Sequence, residues 1–213
     1  MPLHDYQFLT FNVIGSPFGS SSRVTDQNFP QHLTMRDIAH ALEKGIEALG
    51  FRKIDVLIGG SLGGMQALEL LYRHKFEVEK AVILAATAKT SSYSRAFNEI
   101  ARQAIHIAGK EGLSIARQLG FLTYRSSKSY EARFTPDEVV TYQKYQGDKF
   151  KEQFDLQCYL TLLDVLDSHD IYRGRENVDK VYQSLNTKVL TLGFTDDLLY
   201  PCLLYTSPSP RDR

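Results

Sequence analysis

Gly59-Gly60-Ser61-Leu62-Gly63-Gly64 separates an apolar run at 54–58 from a segment carrying Met65, Leu68 and Leu71 at helical spacing. A chain that passes from strand to helix in so few residues needs backbone freedom that glycine supplies. It also needs the strand to lie in a covered sheet, because the run lacks polar alternation. Three further short apolar runs occur at 8–13, 81–85 and 189–192. Between the first two strand-like runs lies a marked helix. Thr34 and Asp37 form a capping-box signature, Met35, Ile38, Leu42, Ile46 and Leu49 fall on one face, and Gly50 supplies a stop. A second helix is predicted from Leu62 to about Arg73. Strand, helix, strand, helix, strand in this order predicts a parallel α/β sheet with right-handed crossovers.

From 91 to 184 the pattern becomes helical. Thr135-Pro136-Asp137-Glu138 is a helix start with a capping Thr, Pro at the first position and Glu at the third. Phe150, Phe154, Leu160, Leu163 and Leu166 predict another amphipathic helix. A helical block of this length between two sheet strands is most simply an inserted lid; ordinary crossover helices in a larger α/β domain are the alternative. The expected organisation is a core at 1–90, a helical lid at 91–185 and a return to the core at 186–201. The turn-rich loop at 15–22 is expected to be exposed. Residues 202–213 are expected to be a non-native tail, because Cys202 to Asp212 reads as a translated transposase-type sequencing adapter. A natural disordered terminus is the competing explanation.

The 213 residues carry 25 Lys and Arg against 25 Asp and Glu. That balance removes any wholesale electrostatic case for nucleic acid. No apolar run approaches the roughly 20 residues of a membrane-spanning helix, and Met1-Pro2-Leu3-His4-Asp5 is not a signal peptide. No membrane association and a cytoplasmic location are therefore expected. Cys158 and Cys202 match no metal-ligand spacing, so no metal is expected.

Gly-x-Ser-x-Gly between strand and helix is the arrangement that projects a serine hydroxyl at the carboxyl end of a sheet. Ser61 then stands at a helix N-terminus, whose free N–H groups favour developing negative charge, and the Leu62 N–H becomes an oxyanion donor. A chance glycine turn with an idle serine is the plainer alternative. A phosphate loop is not, since neither its glycine spacing nor its Lys-Ser/Thr is present. A serine nucleophile needs a base and an acid that orients the base. After the run at 189–192, Asp196 and Asp197 are equal candidates from spacing, unless they only cap the next turn. No suitable histidine follows. His4, His32, His40 and His74 come too early, and His106 and His169 fall in the helical block. His169, in Asp167-Ser168-His169-Asp170, is an unorthodox base or a member of a helix-terminal polar cluster.

Ile58 to Glu69, with its GGSLGG core, resembles the nucleophile segment of the homoserine O-acetyltransferase family. The resemblance extends through Phe29-Pro30 with Thr34-Met35-Arg36-Asp37, Phe97-Asn98-Glu99 with Arg102-Gln103-Ala104-Ile105, Leu122-Thr123-Tyr124-Arg125-Ser126 and Tyr145-Gln146-Gly147. It covers nearly all of residues 5–201 in the family's order. It implies an α/β-hydrolase-type parallel sheet, here incomplete, with an inserted helical lid. It further implies a two-step transfer in which Ser61 takes the acetyl group of acetyl-CoA and passes it to the hydroxyl of L-homoserine, in methionine biosynthesis. Acetyl-CoA is a substrate, and no cofactor is implied. Asp197-Leu198-Leu199-Tyr200-Pro201 matches the family's D-x-L-[FY]-P, which selects Asp197 as the acid. Arg125 matches an arginine that binds the amino acid's carboxylate, as a planar guanidinium suits; a lid salt bridge is the alternative. A homodimer through the lid is also implied.

The chain departs from the family in two places. The Gly-His-Asp motif carrying the base is absent, and so is the N-terminal part supplying a second oxyanion donor. The expectation is a fragment truncated at both ends and inactive as it stands. Transfer of a succinyl group, acyl transfer to serine, ester hydrolysis and a non-catalytic binding protein of the same fold are the competing functions.

Overall fold

The level carboxyl ends of three parallel strands organise the molecule. In the computed structural model, which describes residues 6–200, β1 (Lys53–Gly60), β2 (Glu77–Leu84) and β3 (Lys188–Leu192) form one sheet in the order β1-β2-β3. Gly60 pairs with Leu84, and Leu84 with Leu192. Whatever follows these three residues therefore emerges along one edge. Helix α1 (Met35–Ala48) precedes β1, and α2 (Leu62–Arg73) joins β1 to β2. Six helices lie between β2 and β3: α3 (Ser92–Ala108), α4 (Lys110–Thr123), α5 (Ser127–Glu131), α6 (Pro136–Gln153), α7 (Leu156–Asp167) and α8 (Val178–Gln183).

Local sequence accounts for several of these helices. Thr34 and Asp37 exchange side-chain and backbone hydrogen bonds in a full capping box at α1, and Thr135 and Glu138 do the same at α6. Each cap satisfies backbone donors that the first helical turn leaves without partners. Gly50, at φ 80°, ends α1 in the left-handed conformation that glycine adopts readily. Met35, Ile38 and Ile46 of α1 are buried, whereas Leu49, expected on the same face, is the C-cap residue and is 56% exposed.

Two apolar clusters result. One joins Met35 and Ile38 of α1, Met65 and Ala67 of α2, Ile83 of β2, Ala86, and Val165 of α7. The other joins Ala101 and Ile105 of α3, Leu113 and Ala116 of α4, and Leu163 of α7. Helix α7 contributes to both, so it couples the helical block to the sheet. Fully burying an apolar side chain of this size contributes about 1.5–3 kcal/mol, which is the scale of what Val165 adds to one cluster and Leu163 to the other.

The structure corrects three expectations. Residues 8–13 form no strand. The outer sides of β1 and β3 stay unpaired among the described residues, and the run lies instead beside α1: Phe8 is 71% exposed, while the Phe11 ring lies against Gly45 of α1. The helix expected through 150–166 is two helices. Phe154 is extended, and Asp155 caps α7 by accepting from the Gln157 and Cys158 N–H groups. The loop at 15–22 is only partly exposed, since Gly15, Ser16 and Ser22 are buried. At φ 91°, Gly15 brings its backbone against Thr161 and Leu33. The adapter-like tail at 202–213 lies outside the described residues. Among the described residues, no helix is long and apolar enough to cross a membrane.

Candidate active site

Ser61 sits between β1 and α2 with φ 52° and ψ −123°. A residue with a Cβ pays about 1–3 kcal/mol for such a conformation, and surrounding contacts must hold it there. Those contacts are visible. The Ser61 N–H donates to Leu84 O at 2.8 Å, tying the turn to β2, and Ser61 O accepts from Gly64 N at 2.9 Å and Met65 N at 3.1 Å. Among the described residues the Ser61 hydroxyl has no hydrogen-bond partner, and the residue is exposed. The turn can be this tight because Gly59 has no Cβ; one there would collide with the Gly63 carbonyl.

On the helix side the requirement falls on Gly64 and not on Gly63. A Cβ at Gly64 would stand 2.5 Å from the Ala86 Cβ, whereas one at Gly63 would meet nothing within 4 Å. The Gly63 of the motif is thus sterically free, and the close approach belongs to its neighbour.

The Leu62 N–H is the first donor of α2 and finds no acceptor among the described residues. The first turn of α2 carries no acidic side chain, and Arg73 stands in its last turn. Free N–H groups and an unopposed helix dipole make this position favourable for an oxyanion.

Asp197 lies in the loop after β3, and its Oδ1 accepts from Leu199 N and Tyr200 N, each at 2.9 Å. These bonds fix the carboxylate as the cap of a turn while leaving Oδ2 uncommitted among the described residues. Asp196 is exposed and makes no comparable bond. Ser61 and Asp197 thus both follow strand ends on the same edge of the sheet, two strands apart, and no hydrogen bond joins them.

Arg125 follows α4 and is half-buried. No carboxylate among the described residues forms an ion pair with it, and its charge acts on the Tyr130 hydroxyl. No hydrogen bond brings it to Ser61. Two surface depressions, one beside Tyr142 and Tyr145 on α6 and one between Phe11 and α1, include none of Ser61, Asp197 or Arg125.

No described histidine hydrogen-bonds Ser61 or Asp197. His32, His40, His74 and His106 are exposed. His169 is buried, with Nε2 2.7 Å from Thr87 O. Burial pushes its pKa below the ordinary imidazole range, outweighing the nearby Glu69 and Asp170 carboxylates. No group of three His, Cys, Asp or Glu among the described residues is placed to hold a metal ion.

The residues that sequence reasoning missed are Ala85 and Ala86. Ala85 has φ 43°, donates its N–H to Leu192 O at 2.9 Å, and places the buried Ala86 methyl against Gly64. Two alanines in an apolar run carry no signal of this role.

Residues 2–199 match the alpha/beta hydrolase fold family. The chain belongs to that family. Among alpha/beta hydrolase fold proteins, it is 37% identical over 216 residues to a homoserine O-acetyltransferase of Thermus thermophilus, covering 92% of this chain and 56% of that protein. It is 33% identical to the homoserine O-acetyltransferase of Carboxydothermus hydrogenoformans, covering 92% and 62%. The crystal structure of homoserine O-acetyltransferase from Staphylococcus aureus superposes with a TM-score of 0.91 at 75% identity, covering 94% of this chain and 62% of that one. The chain thus spans about six-tenths of the length of these relatives or less.

Proposed function

We propose that the whole protein transfers an acetyl group from acetyl-CoA to L-homoserine through a Ser61 acyl-enzyme. The observation that carries this reading is the strained serine turn at the sheet's carboxyl edge, in a chain 75% identical to a solved homoserine O-acetyltransferase. In this reading the Ser61 hydroxyl gives its proton to the base as Oγ attacks the thioester carbonyl, and the C–S bond then breaks with CoA leaving as the thiol, carrying that proton. The Leu62 N–H holds the tetrahedral oxyanion. The homoserine hydroxyl then attacks the seryl ester, its proton passes to the base, and the base returns it to Ser61 Oγ as that ester bond breaks. Asp197 orients the base, using the carboxylate oxygen that its turn leaves uncommitted. Arg125, without an ion-pair partner among the described residues, takes the carboxylate of the amino acid. The base is assigned to none of the described histidines.

The test offers the whole protein acetyl-CoA or succinyl-CoA, each with and without L-homoserine, and follows free CoA. Acetyl-CoA consumption that depends on homoserine and vanishes in Ser61→Ala supports the reading. A preference for succinyl-CoA makes it a succinyltransferase, and equal consumption without homoserine makes it a hydrolase. Either result overturns the acetyl-transfer assignment.

A further inference from the structure

The loop after β2 is gripped from two directions. On the sheet side, Ala85 is bonded to Leu192 and Ala86 packs on the glycine of the serine turn. On the helical side, residues 166–171 hold it through a run of separate bonds. Thr90 Oγ1 donates to Leu166 O at 2.6 Å, Thr90 N–H donates to His169 O at 3.0 Å, and Ile171 N–H donates to Ala88 O at 3.0 Å. Lys89 Nζ lies 3.0 Å from Asp170 Oδ2. The same segment reaches α1, where Ser168 Oγ accepts from Met35 N at 3.0 Å and Asp170 O accepts from Arg36 at 3.0 Å.

His169 occupies the centre of this clasp, 2% exposed, with Nε2 2.7 Å from Thr87 O. A carbonyl oxygen only accepts, so Nε2 carries the proton and Nδ1 holds the lone pair. Nδ1 is buried and has no hydrogen-bond partner among the described residues. The basic nitrogen is therefore sealed inside the fold, where it can relay no proton from Ser61. Among the described residues, the one hydrogen bond of the ring is to the Thr87 carbonyl.

We propose that His169 is a positioning residue: by donating its Nε2 proton to Thr87 O, it fixes the loop at 85–90 against the serine turn and so sets the attitude of Ser61. This rests on reading Ser61 as the nucleophile, and one arm of the test stands apart from that reading.

In the whole protein, His169→Gln keeps an N–H within reach of Thr87 O, and His169→Leu removes it. Amide exchange at Ser61, Ala85 and Thr90 is measured alongside the rate and KM of Ser61 acetylation. In His169→Leu, exchange at these amides should rise and acetylation fall by about tenfold, because the Thr87 carbonyl loses its donor in a buried place. KM for acetyl-CoA should stay within about threefold, and His169→Gln should restore both quantities. The remaining activity should keep its pH profile. If His169→Leu unfolds, His169→Asn replaces it, since its shorter amide cannot reach Thr87 O and should behave as Leu was expected to. Wild-type exchange in a folded variant lacking the donor, or His169→Gln as slow as His169→Leu, overturns the proposal. Loss of one limb of the pH profile overturns it too, by making His169 the base. If the wild type is not acetylated at Ser61, the nucleophile reading fails, and exchange alone decides whether His169 fixes the loop.

Discussion

Gly63→Ala and Gly64→Ala, adjacent and chemically identical changes, should move stability in opposite directions. Neither glycine has a positive φ, so alanine suits the backbone at both. At Gly64 the new methyl would lie 2.5 Å from the Ala86 Cβ, 3.2 Å from Gly59 O and 3.4 Å from Ile83 Cγ2. Carbon atoms pack best at about 3.5–4.0 Å, so α2 and the loop after β2 must separate by about 1 Å. Neither methyl can rotate away, because both are fixed to backbone. Overpacking of this kind costs about 1–3 kcal/mol, and the helical gain of alanine over glycine, at most about 1 kcal/mol, offsets part of it. A net loss of about 1–2 kcal/mol is expected. At Gly63 nothing lies within 4 Å of the added methyl, which leaves a gain of about 0.4–1 kcal/mol. At about 2–4 °C per kcal/mol for a chain of this size, thermal melts and urea titrations resolve the difference. Gly64→Ala as stable as wild type, or both variants equally destabilised, would refute the geometry assigned to the turn.

Ser61→Gly should be more stable than Ser61→Ala by about 1 kcal/mol or more in the same melts, since glycine relieves the strain at φ 52° and alanine does not. Glu43, whose carboxylate bonds Arg73 Nε at 2.5 Å and a second guanidinium nitrogen at 3.1 Å, clamps α1 to α2. The Arg73 bonds hold its pKa below the ordinary 4.5, so the clamp's contribution is complete above that pH and is lost as pH falls through the folded value. Glu43→Gln should cost about 1–2 kcal/mol at neutral pH and flatten the acid limb of stability against pH. Arg125→Lys in the whole protein should raise KM for homoserine by about tenfold with a smaller change in kcat, because a lysine cannot grip a carboxylate bidentately.

What the sequence made readable was local. The capping boxes at Thr34 and Thr135, the bounds of α2 and the strand at each of β1, β2 and β3 depend on residues within a turn of one another. Most of the misreadings involve partners far along the chain. Residues 8–13 have strand-like composition, but composition does not say which surface the run will lie on, and Phe11 packs on Gly45 of α1. Gly63 and Gly64 look alike until Ala86 is placed against one of them. Asp155 was a readable cap, hidden because Phe150, Phe154 and Leu160 keep an apolar rhythm across the break. His169 meets its acceptor 82 residues away, so its spacing suggested a base or a cap and could not reveal the clasp. The serine turn is different: its glycines, flanking strand and helix are contiguous, which is why the tight strand-to-helix turn at Ser61 could be read without coordinates.

The most direct test of the central claim is intact-mass analysis of the whole protein, acid-quenched after mixing with acetyl-CoA in the absence of homoserine, with peptide mapping of any adduct. One acetyl group on Ser61, absent in Ser61→Ala and discharged on adding L-homoserine, is the predicted result. An adduct formed at a comparable rate in Ser61→Ala, or one on Ser61 that homoserine does not discharge, would contradict the account.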